Sequence, residues 1–230
     1  MLISPQKVAV LVNHVRSRIR DAAESSGRDP ATVTLVAVTK GKPAELLRAA
    51  AAAGVTDFGE SYLQEATPKM QELEALAVKW HFIGGIQSNK TRAIAEHFQW
   101  VHSVDRLSVA RRLSDQRPFH APPLNVCLQV ALVPEPTKGG IDPDKIGELA
   151  AQTAELPRIK LRGLMCVPPP QPTVAAERAV FARLRQLLES LNAGGHDLDT
   201  LSMGMSGDFE SAIAEGATHV RVGTALFGSR

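Results

Sequence analysis

The sequence predicts an α/β protein, a single (β/α)8 barrel of the TIM type preceded by one additional helix. Apolar, β-branched runs alternate with segments of helical periodicity along the chain, and eight strand candidates can be counted. The length of 230 residues suits one such barrel, which typically has about 250. Strands that alternate with helices imply βαβ units and a parallel sheet, and eight units favour a closed barrel over an open doubly wound sheet. We therefore expect residues 1–230 to form one domain.

The additional helix is predicted over residues 5–26, where apolar side chains recur at helical spacing. The predicted strands are residues 33–38, 55–58, 79–83, 100–102, 124–130, 160–167, 200–203 and 218–222. The helices between them are predicted over residues 43–53, 64–77, 88–97, 107–115, 144–155, 173–192 and 208–215. Pro43 falls in the first turn of its helix, and Ser88 or Asn89 is expected to cap the helix of residues 88–97.

Charge and composition exclude several classes of protein. The formal net charge is +2, and no basic stripe with interleaved aromatic residues indicates a nucleic-acid surface. No signal peptide is recognised, and no apolar stretch reaches the ~18 residues of a membrane span, so we expect a soluble cytoplasmic protein. Cys127 and Cys166 lie in apolar runs and are expected to be reduced core thiols, although Cys166 is near enough to a strand end to contact a ligand.

Lys40 is the sharpest candidate at the C-terminal ends of the strands, where barrels of this type carry their sites. It follows a buried strand directly, so its stem would start inside the barrel mouth, and a lysine in a partly apolar site can form a Schiff base. The alternative is a surface lysine whose ammonium extends into water, which spacing alone favours. Lys42 competes for the same role, but Pro43 puts it at a helix start, pointing elsewhere.

A phosphate site is the second prediction, in the loops after the seventh and eighth strands. Residues 201–208 are rich in small side chains, which let backbone amides approach a ligand, and Ser206 or Asp208 begins a helix. Gly223 and Thr224 would add amides and a hydroxyl from the neighbouring loop, in the position where many barrels bind phosphate. An ordinary capped turn is the alternative for residues 201–208 taken alone.

Arg221 lies on the last predicted strand between two valines. An arginine that faces a barrel interior is costly unless it has a partner, and the alternative is a side chain that points outward to solvent. His81, His102 and Asp105 could form a proton relay but are more often core or capping groups. Glu60 and Glu65 are too isolated to assign as an acid–base pair, and no cluster has the spacing of metal ligands.

Several motifs together resemble the pyridoxal phosphate homeostasis proteins. They comprise residues 36–40 (Val-Ala-Val-Thr-Lys), 58–62 (Phe-Gly-Glu-Ser-Tyr), 81–84 (His-Phe-Ile-Gly), 87–90 (Gln-Ser-Asn-Lys), 201–208 and 220–228. The resemblance covers nearly the whole chain. It implies a barrel similar to the N-terminal domain of alanine racemases, without their second domain, and pyridoxal 5'-phosphate (PLP) as cofactor.

The resemblance also assigns roles. It implies that Lys40 forms the Schiff base, that Met205, Ser206, Gly223 and Thr224 lie on the phosphate side, and that Arg221 faces the pyridine nitrogen. Two positions depart from the family pattern. Ser61 replaces the usual asparagine beside the ring, and residues 137–140 read Thr-Lys-Gly-Gly where Ser-Lys-Ser-Gly is frequent.

Two functions follow from these assignments. The first is a non-enzymatic protein that holds PLP in cofactor homeostasis, with apo-enzymes as candidate recipients. The second is a PLP-dependent amino-acid racemase. A two-base racemase needs a second group opposite the lysine, and Tyr62 is the single tyrosine of the sequence, so the binding protein is favoured. A lysine-dependent aldolase would need its own acid–base residue beside Lys40, and the sequence suggests none.

Overall fold

The computed structural model describes residues 3–133 and 139–228. Eight parallel strands close into a barrel in chain order. The strands are β1 (Thr34–Val38), β2 (Asp57–Glu60), β3 (Lys79–Phe82), β4 (Trp100–Val104), β5 (Leu124–Gln129), β6 (Ile159–Met165), β7 (Thr200–Ser202) and β8 (His219–Val222). The (β/α)8 barrel predicted from the alternating pattern is confirmed.

The helices surround the barrel and bury their apolar faces against it. They are α1 (Pro5–Ser25), α2 (Ala44–Ala52), α3 (Leu63–Glu72), α4 (Thr91–His97), α5 (Leu107–Gln116), α6 (Ile146–Ala154), α7 (Val174–Ala193), α8 (Phe209–Ala214) and α9 (Thr224–Phe227). The additional helix is α1, whose first turn is capped by the Ser4 side chain. Val8, Val12 and Val15 are fully buried on one face of α1, as the helical spacing predicts.

Some boundaries differ from the predictions. Neither Ser88 nor Asn89 caps a helix, because α4 begins at Thr91 without a side-chain cap, and the Thr91 hydroxyl donates to the Ser88 carbonyl instead. Strand β2 begins at Asp57 rather than at residue 55. The short helix α9, which follows β8 directly, was not predicted.

Strand pairing fixes which loops are neighbours at the C-terminal face. Val36 of β1 pairs with Asp57 of β2 on one side and with Arg221 of β8 on the other. The loop after β1 therefore lies between the loops after β2 and β8. Among the described residues, no helix is both long and apolar enough to cross a membrane.

Candidate functional site

Lys40 follows β1 in an exposed turn at the barrel mouth. It lines a cavity of about 570 Å³, together with residues from the end of β3, the start of α3 and the loops after β2 and β3. Those residues are Ser61, Tyr62, Leu63, Gln64, Phe82, Gly84, Gly85, Gln87 and Lys90. Lys42 extends elsewhere, as predicted: its ammonium donates to the carbonyls of Phe227 and Gly228 at 2.9 and 3.1 Å.

The backbone on the N-terminal side of Lys40 is fixed by a buried ion pair. The Lys69 ammonium donates to the Thr39 carbonyl at 2.8 Å and to Glu60 Oε1 at 2.6 Å. The same Glu60 oxygen accepts from the Thr39 hydroxyl at 2.6 Å. Glu60 is fully buried and Lys69 nearly so, so these charge-assisted bonds hold the residue before Lys40 in one position.

The residue after Lys40 is fixed as well. The Gly41 amide donates to Glu65 Oε2 at 2.5 Å, and Gly41 has a φ of 70°, a left-handed conformation that favours glycine. Glu60 and Glu65, which looked isolated in the sequence, thus stabilise the turn that carries Lys40. The sequence did not reveal this, because helix packing on the barrel brings Lys69 and Glu65 to the turn.

The two predicted phosphate loops meet around the Ser206 hydroxyl. Its Oγ accepts from the amides of Gly223 and Ala225 at 3.2 and 3.3 Å. A Cβ added to Gly223 would lie 3.3 Å from Val38 Cβ, so this backbone packs closely against the end of β1. Converging backbone N–H groups of this kind suit an anionic oxygen.

Gly204 shapes the first of these loops. Its φ is 91°, and an added Cβ would lie 2.6 Å from Ala212 Cβ and 3.0 Å from Phe209 Cα. The loop can therefore fold tightly onto α8 only with glycine at this position. Asp208 fixes the next residue, because its carboxylate accepts from the Met205 amide at 2.6 Å.

Arg221 points into the barrel and is only 4% exposed. Its guanidinium donates to Ser202 Oγ at 2.6 Å and to the Cys166 carbonyl at 2.8 Å. Of the two orientations considered from the sequence, Arg221 therefore has the inward one, with partners. Burial lowers the pKa of Arg221, but an arginine starts so far above neutral pH that it remains a cation.

The remaining candidates are structural. His81 and His102 are buried and hydrogen-bonded within the barrel, whereas Asp105 pairs with Arg106 near the surface, so the three do not form one relay. Cys127 and Cys166 are free, buried thiols, as predicted. Burial raises the pKa of each to about 12, which makes them poor nucleophiles.

The predicted residues fall into three neighbouring parts of one face. Lys40 and Ser61 line the cavity, Met205, Ser206, Gly223 and Thr224 lie in the loops after β7 and β8, and Arg221 is on β8 beside β1. In the loop of residues 137–140, whose sequence departs from the family pattern, residues 137 and 138 lie outside the described residues. Sequence reasoning missed Lys69, Ser202 and Asp57; inward alternation along the strands was the signal that could have found the last two.

A small barrel with a lysine at its mouth and converging loops at its seventh and eighth strands defines a class of protein similar to the barrel domain of alanine racemases. The family model described as alanine racemase, N-terminal domain, matches residues 11–230. The chain belongs to this family, among the pyridoxal phosphate homeostasis proteins.

Full-length relatives support that assignment. The chain is 60% identical to the pyridoxal phosphate homeostasis protein of Pseudomonas aeruginosa over 223 residues, covering 97% of this chain and 96% of the relative. It is 48% identical to the protein of the same name from Escherichia coli K12, covering 94% of each. These names denote homeostasis proteins and not enzymes, in agreement with the non-enzymatic class predicted from the sequence.

A solved structure provides the corresponding comparison of folds. PipY of Synechococcus elongatus PCC7942, determined with PLP bound, is 40% identical and superposes with a TM-score of 0.86. The match covers 96% of this chain and all of PipY. The fold of this chain therefore matches that of PipY over nearly its whole length.

Proposed function

We propose that this protein binds PLP covalently as a Schiff base on Lys40 and serves intracellular PLP homeostasis in the cytoplasm, with little or no catalytic turnover. The observation that carries the proposal is the position of Lys40, which lines a cavity at the barrel mouth and follows β1, the strand that pairs with β8; the loop after β8 converges with the loop after β7 on Ser206. The relative PipY, which has been determined with PLP bound, supports the choice of ligand. In this proposal, residues 1–230 act as one PLP-binding domain.

The described residues fit each part of the cofactor. PLP supplies an aldehyde that condenses with an amine, with loss of water, and a pyridine ring that withdraws electrons. The Lys40 amine would take the aldehyde, and the loops carrying Met205, Ser206, Gly223 and Thr224 would hold the phosphate. The amides of Gly223 and Ala225, which converge on the Ser206 oxygen, support this assignment.

Two residues would contact the ring. Arg221 would face the pyridine nitrogen, and a cation there keeps that nitrogen unprotonated, which makes the ring a weaker electron sink. Ser61 lines the cavity with Lys40 and would take the position beside the ring, with a shorter side chain than the asparagine usual in the family. Arg221 alone does not exclude racemisation, because racemases of similar design share such an arginine, so the choice between the two functions depends on the second base.

A PLP-dependent racemase is the second candidate, favoured by the family model that matches the chain. It needs a second base on the opposite side of the substrate from Lys40. Tyr62 is 53% exposed and follows β2, the strand next to that of Lys40, so both groups approach from one side of the mouth. The structure therefore supports the binding protein, with apo-enzymes as the proposed recipients of PLP.

Borohydride reduction of the PLP-loaded protein, followed by peptide mass mapping, tests the proposal. We expect the adduct on Lys40 in the wild type and in Lys42→Ala, and no adduct in Lys40→Ala. An adduct on Lys42 would refute the assignment. Racemisation of alanine or serine at about 1 s⁻¹ or faster, an ordinary enzyme rate, would refute the binding-protein function.

A further inference from the structure

The interior of the barrel contains a continuous chain of polar side chains that ends at Arg221. Arg221 Nη1 donates to Ser202 Oγ at 2.6 Å, and Ser202 Oγ lies 2.7 Å from His102 Nδ1. His102 Nε2 lies 2.9 Å from His81 Nδ1, and His81 Nε2 lies 2.9 Å from Asp57 Oδ1. All five residues are buried. His102 is on β4 and Ser202 on β7, which are not neighbours in the sheet. This row of hydrogen-bonded side chains therefore crosses the interior of the barrel.

The two residues at the ends of this row of side chains, Arg221 and Asp57, each have a fixed hydrogen-bonding role. A guanidinium can only donate hydrogen bonds, and an ionised carboxylate can only accept them. Burial by itself raises the pKa of Asp57, but hydrogen bonds from His81 and Thr56, together with the electrostatic effects of His81 and Lys79, outweigh it, and the net effect lowers that pKa. Asp57 is therefore an anion at neutral pH, and Arg221 a cation.

The two histidines between them are neutral. Burial lowers the pKa of His81, with Asp57 opposing the effect. Burial also lowers the pKa of His102 well below its ordinary value, and the neighbouring His81, His219 and Arg221 lower it further. A neutral imidazole has one donor nitrogen and one acceptor nitrogen, so each ring can pass a hydrogen bond in one direction only.

Only one arrangement of protons satisfies all four contacts. Asp57 requires the His81 proton on Nε2, which leaves His81 Nδ1 as an acceptor. His102 must then donate from Nε2 and accept at Nδ1, and the Ser202 hydroxyl supplies that proton while its oxygen accepts from Arg221. The opposite direction would set the lone pair of His81 Nε2 against the Asp57 carboxylate.

We propose that Ser202, His102, His81 and Asp57 form a directional hydrogen-bond relay that positions Arg221 for the pyridine ring of the ligand. This inference rests on the proposed function. The hydrogen bonds of Arg221 go to a neutral hydroxyl and a carbonyl, the carboxylate of Asp57 lies at the far end of the relay, and Asp208 acts on Arg221 through its charge. A carboxylate in direct contact would cancel the field of Arg221 at the ring; the relay leaves that field in place.

Histidine side-chain nitrogen NMR of the protein without PLP provides the first test. We expect His81 and His102 to be neutral at pH 7, both with the proton on Nε2. A proton on Nδ1 of either ring, or a doubly protonated ring, would overturn the relay. Because PLP is not needed for this measurement, failure of the relay and failure of PLP binding give separate results.

Ser202→Ala tests the positioning role. Loss of this acceptor from a charged donor should raise the Kd for PLP about tenfold, shift the absorption maximum of the bound cofactor, and move the His102 Nδ1 resonance. Ser202→Thr, which retains the hydroxyl, should restore the spectrum.

Ser114→Ala is the matched control, since Ser114 is a fully buried serine of α5 that accepts one backbone hydrogen bond. It should leave the Kd and the spectrum unchanged. Wild-type PLP affinity and absorption in Ser202→Ala would refute the positioning role.

Discussion

Lys69→Met is the substitution that best tests how the Lys40 turn is held. Lys69 is the cationic partner of Glu60 in a pair that is almost fully shielded from water, with side chains 10% and 0% exposed. Among the described residues, the second Glu60 oxygen has no hydrogen-bond partner, so Glu60 depends on Lys69 and on the Thr39 hydroxyl. The substitution would leave a buried carboxylate without a countercharge.

The expected cost follows from this burial. Removal of one partner from a buried ion pair costs about 3–5 kcal/mol in the free energy of unfolding. For a chain of this size each kcal/mol lowers Tm by about 2–4 °C, so Tm should fall by about 6–20 °C. The Thr39 carbonyl keeps the Lys42 amide as a donor but loses the Lys69 ammonium, so PLP affinity should fall even below the unfolding transition.

Urea unfolding of the protein without PLP, followed by circular dichroism, measures the effect. Arg92→Met is the control, because Arg92 lies 4.0 Å from Glu96 in an exposed ion pair that is worth only about 0.5 kcal/mol. The double variant Lys69→Met/Glu60→Gln removes both charges and should recover at least about 2 kcal/mol. If Lys69→Met costs no more than Arg92→Met, or if the two substitutions are additive, the buried pair does not hold the turn.

Two further predictions concern Gly204 and the buried histidines. Gly204→Ala should destabilise the fold by about 1–3 kcal/mol through backbone strain and overlap with α8, and it should weaken PLP binding. The control is Gly147→Ala, at an α6 position with open space around it, which should be neutral or stabilising. Equal unfolding midpoints for the two variants would contradict this prediction. Acidification should destabilise the protein below pH ~6.5, the pKa of an unfolded histidine, because burial holds the pKa of His219 near 3 and lowers those of His81 and His102. The unfolded state then binds more protons, so each histidine contributes a loss that approaches about 1.4 kcal/mol per pH unit. His219→Asn should reduce this slope in pH-dependent urea titrations, and an unchanged slope would contradict the assignment.

The architecture was predictable from the sequence because each barrel unit repeats a local pattern. Buried β-branched runs and amphipathic segments specify strands and helices one at a time, and short connections leave little freedom in their order. The valine neighbours of Arg221 put it on the opposite face of its strand from them, but left open whether that face was the interior of the barrel. The wrong cap at Ser88 shows the limit of local rules, since Thr91 satisfies the Ser88 carbonyl in a turn that sequence does not distinguish from a cap.

The supporting groups of the site were not predictable in this way. Glu60 and Lys69 are nine positions apart, and they meet because α3 packs back against β2, the strand that ends at Glu60. His102 and Ser202 meet only because the barrel is closed, so no pattern within one strand reveals the contact. Such partners depend on tertiary geometry, whereas the lysine and the phosphate loops depend on local sequence and are found from it.

The two sets of supporting groups act on neighbouring strands from opposite sides of the sheet. The Glu60–Lys69 pair holds the end of β1 from the helix side, and the chain from Asp57 to Ser202 holds Arg221 of β8 from the barrel interior. Because β1 and β8 pair directly, a shift in either set changes the distance between the Lys40 amine and the Arg221 guanidinium. Ligand orientation should therefore respond to both sets, and combining Lys69→Met with Ser202→Ala should weaken PLP binding more than the sum of their separate free-energy effects.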